Sequence, residues 1–185
     1  MNWRPEILED ERVRLVPLEQ KDFDRLFEVA ADPLIWEQHP SKDRYKKEVF
    51  QSYFDSAVSS GSAFLIFEKA NAQLIGSTRY YDHNPALSRI AIGYTFIAKE
   101  FWGGKYNAAI KKLMLDYAFQ FVDSVIFHIG PTNIRSQQAI LKIGAKKIGE
   151  EEYNGVLHFV YEIRKGTPWQ RSSDSYPGTV GPKNS

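Results

Sequence analysis

Phe101-Trp102-Gly103-Gly104-Lys105-Tyr106-Asn107 is the stretch whose reading decides the fold. The residues before it alternate: Ile90, Ile92, Tyr94 and Phe96 interleave with Ala91, Gly93 and Thr95, so 89–98 reads as a strand with a large and a small face. The residues after it form an amphipathic helix. Tyr106, Ile110, Leu113, Met114, Tyr117, Ala118 and Phe121 share one face, and Asn107, Lys111, Lys112, Asp116 and Gln120 share the other. The quoted run is therefore a glycine turn from strand to helix. Such a turn leaves backbone N–H groups unpaired at the positive end of a helix dipole, a spot suited to phosphate. A second helix start, Asn133-Ile134-Arg135-Ser136, follows the next strand, 125–129. Two such starts in adjacent units imply a phosphate-bearing cofactor lying across neighbouring strands.

Downstream, Asn133 suits an N-cap, Ile140 and Ile143 face inward, and Gly144 suits the position after the helix. Strands at 146–152 and 157–163 flank an Asn154-Gly155 hairpin turn. Upstream, 13–17 reads as an edge strand because Pro17 has no N–H to donate. Phe23, Leu26, Phe27 and Ala30 mark a helix stopped by Asp32-Pro33. Val49, Phe50, Tyr53, Phe54, Ala57 and Val58 mark another, closed by Gly61. Strands at 63–68 and 74–82 follow, with turns at Asn71-Ala72 and Asn84-Pro85. This order predicts a mixed α/β (α+β) fold, in which a central, mostly antiparallel sheet of about seven strands carries helices on both faces. Residues 1–165 are expected to form one domain. Residues 166–185 read as a polar, turn-rich, mobile extension with nothing to bury.

Composition narrows the function. The chain has 185 residues, 43% hydrophobic and 25% charged, with net charge +1. That charge gives no global pull toward nucleic acid or an anionic membrane. The absence of cysteine excludes disulfides, thiolate zinc sites and cysteine nucleophiles. The four histidines have no metal-ligand spacing. The start of the chain has no apolar signal-like core, and no apolar run approaches the ~20 residues of a spanning helix, so a soluble, cytoplasmic protein is expected.

Three elements in order, Ile92-Gly93-Tyr94, Trp102-Gly103-Gly104-Lys105-Tyr106, and Asn133-Ile134-Arg135-Ser136 with Gly144-Ala145, resemble the GNAT superfamily of acyl-CoA N-acetyltransferases. The nearest branch is the group that acetylates ribosomal-protein N-termini. The resemblance implies acetyl-CoA (coenzyme A) as cofactor. It places the pantetheine along Ile92-Gly93-Tyr94, the pyrophosphate on Trp102, Gly103, Gly104, Lys105 and Tyr106, and Asn133, Arg135 and Ser136 on the second cofactor helix, with Phe96, Ile97 and Asn107 also among the cofactor-binding residues. The chain departs from the family twice. Relatives place a glycine at Lys105 and a small residue at Asn107, so the glycine is shifted to Gly104. Many relatives also carry a glutamate, often invoked as a general base, where this chain has Ala91.

Amide formation from a thioester needs a neutral amine, a stabilised oxyanion and a protonated leaving thiolate. Direct attack in a ternary complex fits a chain with no cysteine to take the acyl group first, and the resemblance implies a backbone N–H within 94–97 as oxyanion donor. Ser136 is read as donor toward the departing sulfur, or as part of a helix start alone. Asn133 is read as N-cap, pantetheine ligand, or both. The small face of Ala91, Gly93 and Thr95 is expected to border the transfer tunnel. Trp36 and Tyr81 are expected to wall the acceptor pocket, with His83 and Ala91 beside it. A base acting through water is sought among Asp82, His83, Glu152 and His158, whereas His128 reads as a core or hydrogen-bonded residue. Loss of the acid at 91 favours amines of low pKa, such as a peptide α-amine near about 8, over lysine near about 10.4. The expected partner is a peptide N-terminus or a small-molecule amine, and a homodimer is left open. The rival reading is a non-catalytic acyl-CoA-binding sensor or interaction module.

Overall fold

The alternating stretch before the glycine turn forms β5 (Arg89–Ile97), at the centre of an eight-stranded sheet. The computed structural model describes residues 1–153 and 155–168. Asn154 of the expected hairpin turn, and residues 169–185 of the expected extension, lie outside the described residues. The strands are β1 (Leu8–Glu9), β2 (Val13–Pro17), β3 (Ala63–Glu68), β4 (Gln73–Asn84), β5, β6 (Ser124–Ile129), β7 (Lys146–Tyr153) and β8 (Val156–Arg164). Their spatial order is β1-β2-β3-β4-β5-β6-β8-β7. β1 is the strand beyond the seven expected; at two residues it is too short to show a period. The helices are α1 (Phe23–Ala30), α2 (Pro33–Trp36), α3 (Lys47–Ser59), α4 (Lys105–Ala118) and α5 (Ile134–Lys142).

Asp32-Pro33 starts a helix as well as ending one. The Asp32 carboxylate accepts from the Leu34 N–H at 3.0 Å, and Pro33 fills the first helical position, where its missing N–H costs nothing. The resulting single turn buries Trp36, whose Nε1 donates to the Ala30 carbonyl at 2.8 Å.

Helices cover both faces of the sheet. Ile110 and Met114 of α4 and Ile140 of α5 pack with Ile90, Ile92 and Phe127 on one face. Leu26, Trp36, Phe50 and Phe54 of α1–α3 pack with Leu65 and Phe96 on the other. The single large face expected for 89–98 is therefore split. Tyr94 has φ +52°, and the β4–β5 register shifts between Ser77 and Arg79. This bulge inserts one residue, so the alternation changes phase. Ile90 and Ile92 point to α4, while Tyr94 and Phe96 point to α3. A non-glycine residue at positive φ costs of order 1 kcal/mol and needs support. The Tyr53 hydroxyl donates to the Tyr94 carbonyl at 2.7 Å, and the Arg79 guanidinium lies 3.4 Å from the Tyr94 ring centre.

Beside the bulge the sheet opens. β5 and β6 run parallel, but their register pairs stop at Ala91 and Ile126. Beyond that point β5 follows β4 and β6 follows β8, so the strands splay into a cleft.

Candidate active site

A cavity of about 890 Å³ fills the splay between β5 and β6. Its walls are Ile92 to Ile97 on one side and Phe127 to Gly130 on the other. Two helix starts meet it. At α4, Gly103 (φ +107°) and Gly104 (φ +104°) take a backbone path that side chains with a Cβ rarely follow. Ala108 makes the first N–H bond within the helix, to the Gly104 carbonyl at 2.9 Å. The amides of Lys105, Tyr106 and Asn107 have no intrahelical acceptor, and Gly104 caps without a side chain. At α5, Asn133 caps through Oδ1, which accepts from the Ser136 N–H at 3.1 Å.

Most of the expected cofactor residues converge here. Phe96, Ile97, Trp102, Gly103, Gly104, Lys105, Asn107, Asn133, Arg135 and Ser136 all line the cavity. Tyr106 does not; it packs edge-on against Phe101 with ring centres 5.0 Å apart. Arg135 is committed to a latch. Its guanidinium stacks 3.8 Å from the Trp102 ring centre and donates to the Ile35 carbonyl at 3.2 Å, while Trp102 Nε1 donates to the Ile97 carbonyl at 3.0 Å. This chain of contacts ties α5, α2 and β5 together around the cavity mouth.

The expected acceptor residues divide. Trp36 lines the cavity, joined by His39 and His158. Burial, with the Arg44 guanidinium alongside, pushes the His39 pKa down to about 3, so that imidazole is neutral. Tyr81, His83 and Ala91 are not in the cavity wall. His83 lies against Trp3, ring centres 5.2 Å apart. Ala91 is fully buried with Ile126 and Val160, and Tyr81 packs over it. The small face is thus only partly open: Gly93 and Thr95 line the cavity, but the Tyr81 ring covers Ala91. A Cβ on Gly93 would come within 2.8 Å of the Tyr81 ring, so only glycine there lets the ring cross β5.

Two cavity residues escaped the sequence reading. Lys111, assigned to the polar face of its helix, is 5% exposed and lines the cavity. Its Nζ donates to Thr95 Oγ1 at 2.7 Å, and burial pulls its pKa down to about 7. The available signal was its spacing from Met114 and Ala118, at i+3 and i+7 along the buried row. His128, read as core or hydrogen-bonded, is both, with a side chain only 3% exposed; that it also forms cavity wall lies beyond that reading. Its ring joins Tyr81 at Nδ1 and Glu151 at Nε2.

Among the described residues, no group of His, Asp or Glu is arranged to hold a metal ion, and no helix is long and apolar enough to cross a membrane. The family profile described as Acetyltransferase (GNAT) domain matches residues 12–146. A GCN5-related N-acetyltransferase from Brucella melitensis is 21% identical, with 87% of this chain and 81% of that chain covered at a TM-score of 0.70. A GNAT-family acetyltransferase from Bacillus anthracis is 17% identical, covering 85% of this chain and 98% of its own, also at 0.70. RimJ from Mycobacterium smegmatis, solved in complex with CoA-disulfide, is 18% identical over 85% of each chain, at 0.63. At these identities the structures establish a shared fold.

Proposed function

The chain belongs to the GNAT acetyltransferase family, and from that premise we propose that it acetylates a primary amine, a peptide N-terminus or a small molecule, by direct attack in a ternary complex. The observation that carries this reading is one cavity running from two helix starts, through the splay beside the β5 bulge, to Trp36 and His39. Residues 1–165 act as one domain in this proposal, in a cytoplasmic setting.

The cavity residues fit coenzyme A. A Cβ on Gly103 or Gly104 would meet nothing within 4 Å, so a diphosphate can approach the backbone there. The free amides of 105–107 and the α4 dipole supply the charge complement. Lys105 is exposed at the mouth and adds a cation. Phe96 and Ile97 offer an apolar wall for the pantetheine arm. Acetyl-CoA supplies an activated thioester. The chain would supply position, a backbone amide within 94–97 as oxyanion donor, and the Ser136 hydroxyl as donor toward the departing sulfur, all from residues that line the one cavity.

The test is thiol release from acetyl-CoA with a panel of amines. Amine-dependent release is expected. Tight coenzyme A binding with no such release would make the chain an acyl-CoA-binding module instead. Ser136→Ala should lower kcat about tenfold, the worth of one hydrogen bond of ~1.4 kcal/mol. The acetyl-CoA Kd should stay within about twofold, because Asn133 still caps the helix through its own side chain. An unchanged kcat would leave Ser136 as part of the helix start only.

A further inference from the structure

Ala91 removes the carboxylate that relatives carry on this strand, yet the structure puts other titratable groups beside it. Tyr81 on β4 pairs in register with Ala91, and its ring crosses β5 over Gly93. Its hydroxyl lies 2.7 Å from His128 Nδ1 on β6. His128 Nε2 in turn meets the Glu151 carboxylate on β7, with β8 lying between those two strands. The groups differ in exposure. The His128 side chain is 3% exposed and walls the cavity, whereas the Glu151 side chain is 46% exposed and reaches solvent. A hydrogen-bonded path therefore runs from Tyr81, through His128 in the cavity wall, to Glu151 and bulk water, spanning five strands.

Each member has chemistry suited to its place. A carboxylate on Nε2 fixes that nitrogen as the N–H and leaves Nδ1 as the basic one, facing the Tyr81 hydroxyl. Glu151 also stabilises the imidazolium that forms, the orienting role of a carboxylate behind a histidine base. Burial lowers the His128 pKa, and the Glu151 carboxylate opposes that effect. Asp82, whose charge raises the pKa, and His158, whose charge lowers it, also act on the ring.

We propose that Tyr81, His128 and Glu151 form the proton relay that deprotonates the acceptor amine. The proposal rests on the acetyl-transfer reading above. Tyr81 stands just behind the wall that Gly93 and His128 form; the ammonium proton of the acceptor passes, through water leading from the cavity past Gly93, to the Tyr81 hydroxyl as the phenolic proton moves to His128 Nδ1. The imidazolium then gives its Nε2 proton to Glu151, and water removes it. One proton enters the chain and one leaves, and the amine nitrogen is left with the lone pair that attacks the thioester carbon. His128 is the base, Tyr81 the conduit, and Glu151 both orients the imidazole and carries its Nε2 proton out to water.

The experiment compares the full chain with Tyr81→Phe, His128→Gln and Glu151→Gln. The kcat/KM is followed from pH 5.5 to 9.5 with amines of pKa about 10, 8 and 6. For the most basic amine, His128→Gln should lose about 100-fold and the low-pH limb of the profile. Tyr81→Phe and Glu151→Gln should each lose about tenfold, in kcat more than in KM. With the least basic amine, already neutral at assay pH, all three should fall within about threefold of the unaltered chain. A readout independent of turnover is the imidazole titration of His128 by NMR in the free protein, where Glu151→Gln should lower its pKa further. Should His128→Gln misfold, Glu151→Gln alters only a half-exposed carboxylate and tests the same path. Losses equal across all amines with the pH limb intact would make the three residues structural and overturn the relay, while acetyl transfer itself stands. No thiol release by the unaltered chain with any amine would overturn both.

Discussion

Gly104→Glu is expected to weaken coenzyme A binding about 1000-fold, some 4 kcal/mol, as read by calorimetry with the purified chain. Two effects add. The new carboxylate stands at the α4 start, where a diphosphate would lie, and like charges set face to face cost several kcal/mol. The same carboxylate can also satisfy the free amides of 105–107 itself, as an acidic cap does, and so compete for the site. The fold should survive. Gly104 has φ +104°, so any Cβ brings strain of order 1–2 kcal/mol, but that Cβ would meet no atom within 4 Å. Gly104→Ala separates the two contributions, because it carries the strain without the charge and should lose under about tenfold. Unchanged coenzyme A affinity in Gly104→Glu would remove the turn from the cofactor site.

The second large effect concerns Lys111. Its ammonium is taken out of water into the cavity wall and meets Thr95 Oγ1, and no carboxylate lies in an ion pair with it among the described residues. Burial lowers its pKa from 10.5 to about 7. The sign follows from proton counting. Between about pH 7 and 10.5 the unfolded chain binds more protons than the folded one, so this group makes stability rise with pH across that window. Below it both states are charged, and the full cost of burial, on the order of 4 kcal/mol, is present. Lys111→Met keeps the straight stem and removes the charge. It should raise unfolding stability at pH 7 by about 2–3 kcal/mol, after about 1 kcal/mol for the lost bond to Thr95. Urea unfolding at pH 7 and 9.5 reads the difference. The gap between variant and unaltered chain should shrink by about 3 kcal/mol over that range. A gap that does not change with pH would mean that Lys111 is charged in the folded protein throughout. The strain of this lysine falls beside the β5 bulge, where the thioester is proposed to react.

What could be read along the chain was local. The glycine turn, the helix cap at Asn133 and the run of strands depend on neighbours a few residues apart, and backbone geometry makes such patterns specific. Lys111 misled because its helix has apolar residues on more than one row. Only the direction of the splayed strands decides that the row of Lys111, Met114 and Ala118 faces the sheet. His128 is a different case. In an apolar strand it reads as core or hydrogen-bonded, and its partners Tyr81 and Glu151, each far away in sequence, cannot be named from its neighbours. The bulge at Tyr94 was invisible because alternation in sequence assumes a constant period of two, which one inserted residue breaks.

Along the chain alone, three short motifs carry the resemblance to the family, while periodicity, caps and glycines acting over one or two turns specify the strands, the helices and the open start of α4. Which side chains face the cavity, that Tyr81 closes Ala91 off while His128 forms cavity wall, and that a lysine is buried at the site are settled only by the folded arrangement. Those outcomes depend on where β5 and β6 part, a balance of long-range pairing and packing that no short stretch of residues encodes.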